Sequence, residues 1–341
     1  MSSTLNLNES KLKNSPKTWL ITGVAGFIGS NLLEYLLKLD QKVIGIDNFY
    51  TGYKKNLKEV ENNVKKKQWN KFKFINGDIC NLKTCNIVCK KADYVLHNAA
   101  LGSVPRSIKD PINTNNVNIN GFLNILFASN QSKVKRFIYA SSSSVYGDNL
   151  KLPKIENKIG SPISPYALTK LTNEHYAYIF SRIYKINCIG LRYFNVFGQR
   201  QDPKSNYSAV IPVWIKAMID KKTIYINGDG KTSRDFCHIK NVIQANILAA
   251  TSNNSFALNN VYNVAFGEKN TLNKLFSEIR NILLPRYPYL SNINPKYRDF
   301  RSGDVRHSLA DISKSRKLLG YKPTDNLREG LIKTIDWYIN Q

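Results

Sequence analysis

The sequence predicts an α/β fold: a doubly wound parallel sheet with a smaller mixed α/β region towards the C-terminus. Three observations predict it. From Lys17 onward, short β-branched runs alternate with amphipathic segments of helical period, the pattern of βαβ units whose strands are buried on both faces. The first run leads into a glycine-rich turn that opens a helix. The second run ends on an aspartate about twenty residues further on.

The predicted strands are WLIT (19–22), KVIGID (42–47), FKFIN (72–76), YVLH (94–97), RFIYAS (136–141) and NCIGLR (187–192). Six such strands suffice for a doubly wound sheet. After Arg192 the elements shorten and Pro, Gly, Asn and Tyr become more frequent, which suggests a region laid over the carboxyl edge of the sheet, where ligands of such folds bind. VYNVA (261–265) is a further strand that returns to the main sheet, so the two regions interleave. The organisation expected is a polar tail over 1–16, a dinucleotide-binding domain over 17–192 with a returning segment around 236–266, and a substrate-binding domain from 193–235 and 267–341.

TGVAGFIGS (22–30) places Gly23, Gly26 and Gly29 in the spacing GxxGxxG. In a Rossmann dinucleotide site the first glycine allows the tight turn, the second lets the backbone approach a pyrophosphate, and the third lets helix pack on strand, with the helix N–H groups facing the phosphates. Alone, the pattern could be an ordinary tight turn. Asp47, at the end of the second strand, supplies the carboxylate that accepts hydrogen bonds from an adenosine ribose and repels a 2′-phosphate, so NAD is favoured over NADP. Lys54 and Lys55 nearby weigh the other way.

Composition narrows the remaining classes. A chain of 341 residues that is 42% hydrophobic can bury a substantial core. It holds no apolar run of membrane-spanning length and no signal-peptide core, so a cytoplasmic protein is expected. Five cysteines without a CxxC pair fit a reducing compartment, and neither they nor the four histidines show metal-ligand spacing. The net charge of +26 taken alone suggests nucleic acid, but the lysines are scattered from end to end. No nucleic-acid or membrane partner is therefore expected; a positive field would speed the arrival of an anionic substrate.

YALTK (166–170) puts Tyr166 and Lys170 one helical turn apart on one face, able to address the same ligand. A tyrosine is a poor base at neutral pH, and the Lys170 cation with a positive nicotinamide would favour its phenolate. Together with DNFYTG (47–52), GDI (77–79), HNAA (97–100), SSSSVYGD (141–148) and LRYFNVFG (191–198), these motifs resemble, in order, the extended short-chain dehydrogenases/reductases that act on nucleotide sugars. The resemblance covers nearly the whole chain from Lys17.

That resemblance implies Ser142, Tyr166 and Lys170 as catalytic residues, with Ser142 bonding the reacting sugar oxygen and relaying its proton. It implies cofactor contacts from Phe27, Ile28, Asn48, Gly52, Asp78, Ile79 and Ala99 beside the glycines and Asp47. For the substrate it implies Gly102, Ser103, Ser143, Asn195, Val210, Tyr225 and Asn227, with Arg234 and Arg301 at the diphosphate, Asp304 at the nucleoside ribose and Ser308 at the sugar. Guanidinium forks suit phosphate oxygens, although two surface arginines in so basic a chain are the bland alternative.

Dehydratases of that family carry an Asp-Glu pair where this chain has Ser143 and Ser144, so reversible oxidation at C4 is the reaction implied, with tightly held NAD and a sugar that turns about its diphosphate tether. Bacterial UDP-N-acetylglucosamine 4-epimerases of surface-polysaccharide pathways are the most similar group. Ser308 stands where enzymes restricted to small sugars carry a tyrosine, which implies UDP-GlcNAc/UDP-GalNAc or their uronic acids as substrates. A homodimer through helices near 111–130 and 164–184 is implied as well. The rival readings are a decarboxylase or dehydratase using the same 4-keto intermediate, and a non-catalytic NAD- or RNA-binding protein.

Overall fold

A computed structural model describes residues 3–204, 208–300 and 305–340. Its centre is a parallel sheet of β1 (Thr18–Thr22), β2 (Lys42–Asp47), β3 (Phe72–Asn76), β4 (Tyr94–His97), β5 (Arg136–Ser142), β6 (Cys188–Tyr193) and β7 (Asn260–Val264). The strand order is β7-β6-β5-β4-β1-β2-β3, every pairing parallel, so the chain reverses its winding between β1 and β4. The crevice at that switch point is where such sheets bind ligands. All seven runs foreseen from the sequence are strands of this sheet, VYNVA among them.

Burial explains the runs. Trp19, Leu20 and Ile21 of β1, and Val95 and Leu96 of β4, have no accessible surface, and β6 is buried along its whole length. A third apolar cluster, built on Ile211, Trp214, Ile215, Leu275, Ile279 and Leu331, holds the C-terminal elements together. Short strand pairs tie those elements to one another: Tyr225–Asn227 runs parallel to Lys296–Arg298, and Ser233–Arg234 antiparallel to Asn270–Thr271. Among the described residues no helix is long and apolar enough to cross a membrane.

The segment read as a polar tail is instead a helix, α1 (Ser3–Asn14). Leu5 and Leu12 are buried, Asn8 donates to Thr251 Oγ1 at 2.8 Å, and the Leu12 carbonyl accepts from the buried Gln41 side chain at 2.9 Å. The helical stripe is Leu5, Asn8 and Leu12. Its middle member is polar, so hydropathy alone does not show it.

Two helices frame the ligand crevice, α2 (Phe27–Lys38) after β1 and α3 (Pro165–Ile183) before β6. Ser164 caps α3 by accepting from the Ala167 N–H at 3.1 Å, and Pro165 fits the first helical position. A buried ion pair locks α3 to the sheet: Arg192 donates to both oxygens of Glu174 at 2.9 and 2.7 Å, and Ser141 Oγ donates to Glu174 at 2.5 Å. Glu174→Gln leaves the Arg192 charge buried without its counter-ion and is expected to cost about 3–5 kcal/mol of stability. Urea unfolding checks this, and an unchanged midpoint would show that the pair does not hold the helix.

Candidate active site

At the end of β1 the chain turns at Gly23, whose φ of 68° an L side chain rarely adopts. A Cβ there would lie 2.9 Å from the Ala99 backbone, and one at Gly29 would lie 2.1 Å from the Gly23 carbonyl oxygen. The glycines let β1, α2 and the loop after β4 approach this closely. Thr22 secures the loop, since its hydroxyl accepts from the Asn98 and Ala99 N–H groups at 3.2 and 3.1 Å and meets His97 Nδ1 at 2.9 Å. Burial pushes the His97 imidazole down to about 3, so it stays neutral.

Two contiguous clefts follow this line. Gly23, Gly26, Phe27, Ile28, Gly29, Ala99, Gly102 and Ser103 line the first, over the N-terminus of α2. The second contains Asp47, Asn48, Asp78 and Ile79 and is closed on its far side by Asn113 and Asn116. Asp47 accepts from the Ala25 and Phe49 N–H groups at 2.9 and 2.8 Å; burial raises its carboxyl, and those two bonds oppose the shift. Asn48 donates to Asp78 at 3.0 Å across the cleft. Gly52 passes so near Asp47 that a Cβ would meet Asp47 Oδ1 at 3.0 Å.

Beyond β5 the chain forms a tight turn over Ser143–Tyr146. Ser142 ends the strand, and α3, whose second residue is Tyr166, packs on that strand and on the turn. Lys170, one turn along, donates to the Ala140 carbonyl at 2.8 Å, and its Nζ lies 5.9 Å from the centre of the Tyr166 ring. Burial brings the Lys170 ammonium down to about 8. Burial also raises the Tyr166 phenol, with the Ser142 bond lowering it. Burial outweighs the effect of Ser142, so the protein groups by themselves do not bring the phenol below its ordinary value, the direction that the sequence reading expected.

A third cleft, of about 610 Å³, opens beside this turn. Ser143, Asn195, Arg234 and Ser308 line it together with Val104, Ser144, Tyr146, Lys154 and Ser164. Asn195 (φ 30°) and Ser103 (φ 109°) are both held in backbone conformations unusual for their type, which cost about 1–3 kcal/mol each and concentrate at ligand sites. Arg234 bonds the carbonyls of Ser233 and Arg306 at 3.0 and 3.2 Å, and the Ser308 N–H donates to the Ser233 carbonyl at 3.1 Å. Beneath them the buried Asp235 carboxylate accepts from the N–H groups of Phe266, Gly267 and Ala310.

Gly102 and Ser103 face the dinucleotide cleft rather than this one, and a Cβ on Gly102 would meet nothing within 4 Å. Val210 begins a helix of the C-terminal region, and Tyr225 and Asn227 lie on their short strand; none of the three lines this cleft. The sequence reading missed Arg298, whose guanidinium stacks on the Tyr225 ring at 3.2 Å from its centre, and the nearly buried Lys154. The first stands three residues before Arg301, and that second arginine beside one already singled out was the available signal; nothing in the local pattern marks Lys154. Arg301 and Asp304 themselves lie outside the described residues.

Residues 19–265 match the family described as NAD dependent epimerase/dehydratase. The chain belongs to that family. Among solved structures it is similar to a UDP-N-acetylglucosamine 4-epimerase from Methanobrevibacter ruminantium M1 in complex with UDP-N-acetylmuramic acid, at 39% identity over 96% of this chain and 99% of that one, with a TM-score of 0.87. It is similar also to a UDP-glucuronic acid 4-epimerase from Bacillus cereus in complex with UDP-glucuronic acid and NAD, at 32% identity over 95% and 99% with a TM-score of 0.83. A putative UDP-glucose 4-epimerase of Methanocaldococcus jannaschii is 33% identical over 94% of this chain and 98% of its own.

The residues present fit the family's NAD. The turn at Gly23 leaves no room for a side chain, and the N–H groups opening α2 face the cleft where a diphosphate would lie. Beside them the buried Asn98 Oδ1 has no hydrogen-bond partner among the described residues and its residue lines the same cleft, an acceptor suited to a cofactor hydroxyl or amide.

Proposed function

We propose that this chain inverts C4 of a UDP-sugar and that its preferred substrates are UDP-GlcNAc and UDP-GalNAc or their C6 uronic acids. The observation that carries the reading is the position of Tyr166. Its helix packs on the turn that follows Ser142, its ring lies by the Lys170 ammonium, and the residues following Ser142 line a cleft that continues to Arg234 and Ser308. The named activities of the similar proteins agree with it.

In this mechanism Tyr166 takes the O4 proton, and Lys170 and Ser142 stabilise the phenolate that makes this possible. Held over the Gly23 turn and beside Asp47, bound NAD would supply the capacity to take up a hydride at C4 and give it back. Arg234 holds the diphosphate by its guanidinium fork while the 4-keto sugar presents its opposite face. Tyr166 then gives the proton back to O4. The chain has hydroxyls at Ser143 and Ser144, where elimination of water needs carboxylates, so the ring loses nothing.

Ser308 and the cleft around it support the preference for a C2 acetamido group, because the serine leaves space that a larger side chain would fill. A role in polysaccharide precursor synthesis and a homodimeric state accord with this reading. The test is to incubate the purified protein separately with UDP-GlcNAc, its C6 uronic acid and UDP-Glc and to resolve the products. Conversion of an acetamido sugar to its C4 epimer of equal mass, faster than of UDP-Glc, is expected. Faster turnover of UDP-Glc would remove the substrate assignment, and a product lighter by water or carbon dioxide would remove the reaction.

A further inference from the structure

Ser142 is held by one residue twice. The Ser144 N–H donates to Ser142 Oγ at 3.1 Å, and Ser144 Oγ donates to the same atom at 2.9 Å. A serine hydroxyl has two acceptor lone pairs and one proton. With both lone pairs filled, the proton is the only bonding capacity Ser142 retains, and the helix that carries Tyr166 packs against both the strand that Ser142 ends and the turn that follows it.

We propose that Ser144 is a positioning residue for the reaction: by occupying both acceptor sites of Ser142 it commits the Ser142 proton to the Tyr166 oxygen. Ser142 is then a fixed donor rather than a relay, and Tyr166 takes the O4 proton itself. A bond donated to the tyrosine oxygen favours phenolate; without the Ser144 hydroxyl, Ser142 regains a lone pair and can accept the phenol proton, which favours the neutral form.

The other titratable groups around this pair are Lys170 and Glu174 on α3, Arg192 on β6, His97 on β4, Tyr146 in the turn, and Lys154 and Arg234 in the wall of the cleft that Ser144 lines. Glu174 and Arg192 neutralise each other, and His97 stays neutral through the working range. Tyr146 donates to Asn263 at 2.6 Å, and its phenol is raised to about 12 by burial. Lys170 is left as the charged group beside Tyr166, and a change at position 144 leaves its bond to Ala140 in place.

The inference rests on the epimerase reading, and the experiment separates the two. The kcat–pH profile is recorded for the wild type, Ser144→Ala, Ser144→Thr, Ser143→Ala and Ser142→Ala with and without Ser144→Ala. In the first half-reaction Tyr166 must be ionised, so the acid limb reports its proton affinity. Loss of one hydrogen bond that supports the anion moves that limb up by about half to one pH unit, with about a fivefold lower rate at pH 7.

The expected result is that shift in Ser144→Ala, its recovery in Ser144→Thr, none in Ser143→Ala, and no further shift when Ser144→Ala is added to Ser142→Ala. Ser144→Gly, which also lacks the hydroxyl, gives the same shift should the alanine variant fold poorly. A profile of Ser144→Ala that falls in height without moving, or an equal shift in Ser143→Ala, overturns the inference while leaving the epimerase intact. A wild type inert on every UDP-sugar overturns the epimerase reading instead.

Discussion

Tyr166→Phe is expected to lower kcat by about 10³-fold or more while the protein still copurifies with NAD. The phenol oxygen is the only atom removed. The ring keeps its place at the start of α3, Lys170 keeps its bond to the Ala140 carbonyl at 2.8 Å, and Asp47 and the glycine turn are untouched. Binding of cofactor and sugar should therefore survive, and the loss should fall on the chemical step. Steady-state kinetics with quantification of released NAD checks both halves. Retained turnover would hand the proton chemistry to another group, and loss of NAD together with turnover would show that the oxygen is mainly a cofactor contact.

Ser308→Tyr is expected to lower kcat/KM for UDP-GlcNAc by about 10²-fold and to leave UDP-Glc within a few-fold. Ser308 is half-buried in the wall shared with Ser143, Asn195 and Arg234. Its backbone N–H is engaged with the Ser233 carbonyl, so the side chain cannot withdraw by a shift of the main chain alone. A phenol ring added there takes the volume that the C2 substituent needs, and close-packed walls yield little to added atoms. Competition between the two substrates in one reaction measures the ratio directly. An equal loss for both would mean that the tyrosine blocks the cleft as a whole and that position 308 does not read C2.

The parallel sheet was legible because both faces of its strands are covered: residues such as Trp19, Leu20, Val95 and Leu96 left continuous apolar runs that no half-exposed strand would show. The dinucleotide site was legible because its glycines answer to backbone geometry, Gly23 to a positive φ and Gly29 to a 2.1 Å approach. Where long-range packing decides, the pattern was silent. Helix α1 escaped because its buried stripe passes through Asn8, whose partner Thr251 lies 243 residues away. Lys154 and Asp235 escaped for the same reason: each is buried in place by loops from distant parts of the chain.

The site was legible as a set of residue types, and its protonation was not. Sequence reasoning gives Tyr166 a helpful cation but cannot weigh that cation against burial, which in the folded protein raises the phenol. Nor can it show that Ser144 turns its hydroxyl on Ser142 rather than on the substrate.

In the proposed reaction a hydride leaves C4 of a UDP-sugar and returns to C4 of the same molecule while Tyr166 handles the proton at O4. UDP-GlcNAc carrying deuterium at C4, incubated with the purified protein and resolved by mass spectrometry and NMR, tests it most directly. The expected product is UDP-GalNAc of unchanged mass with the deuterium still at C4. Deuterium lost to solvent, or a labelled sugar recovered without inversion, would contradict it.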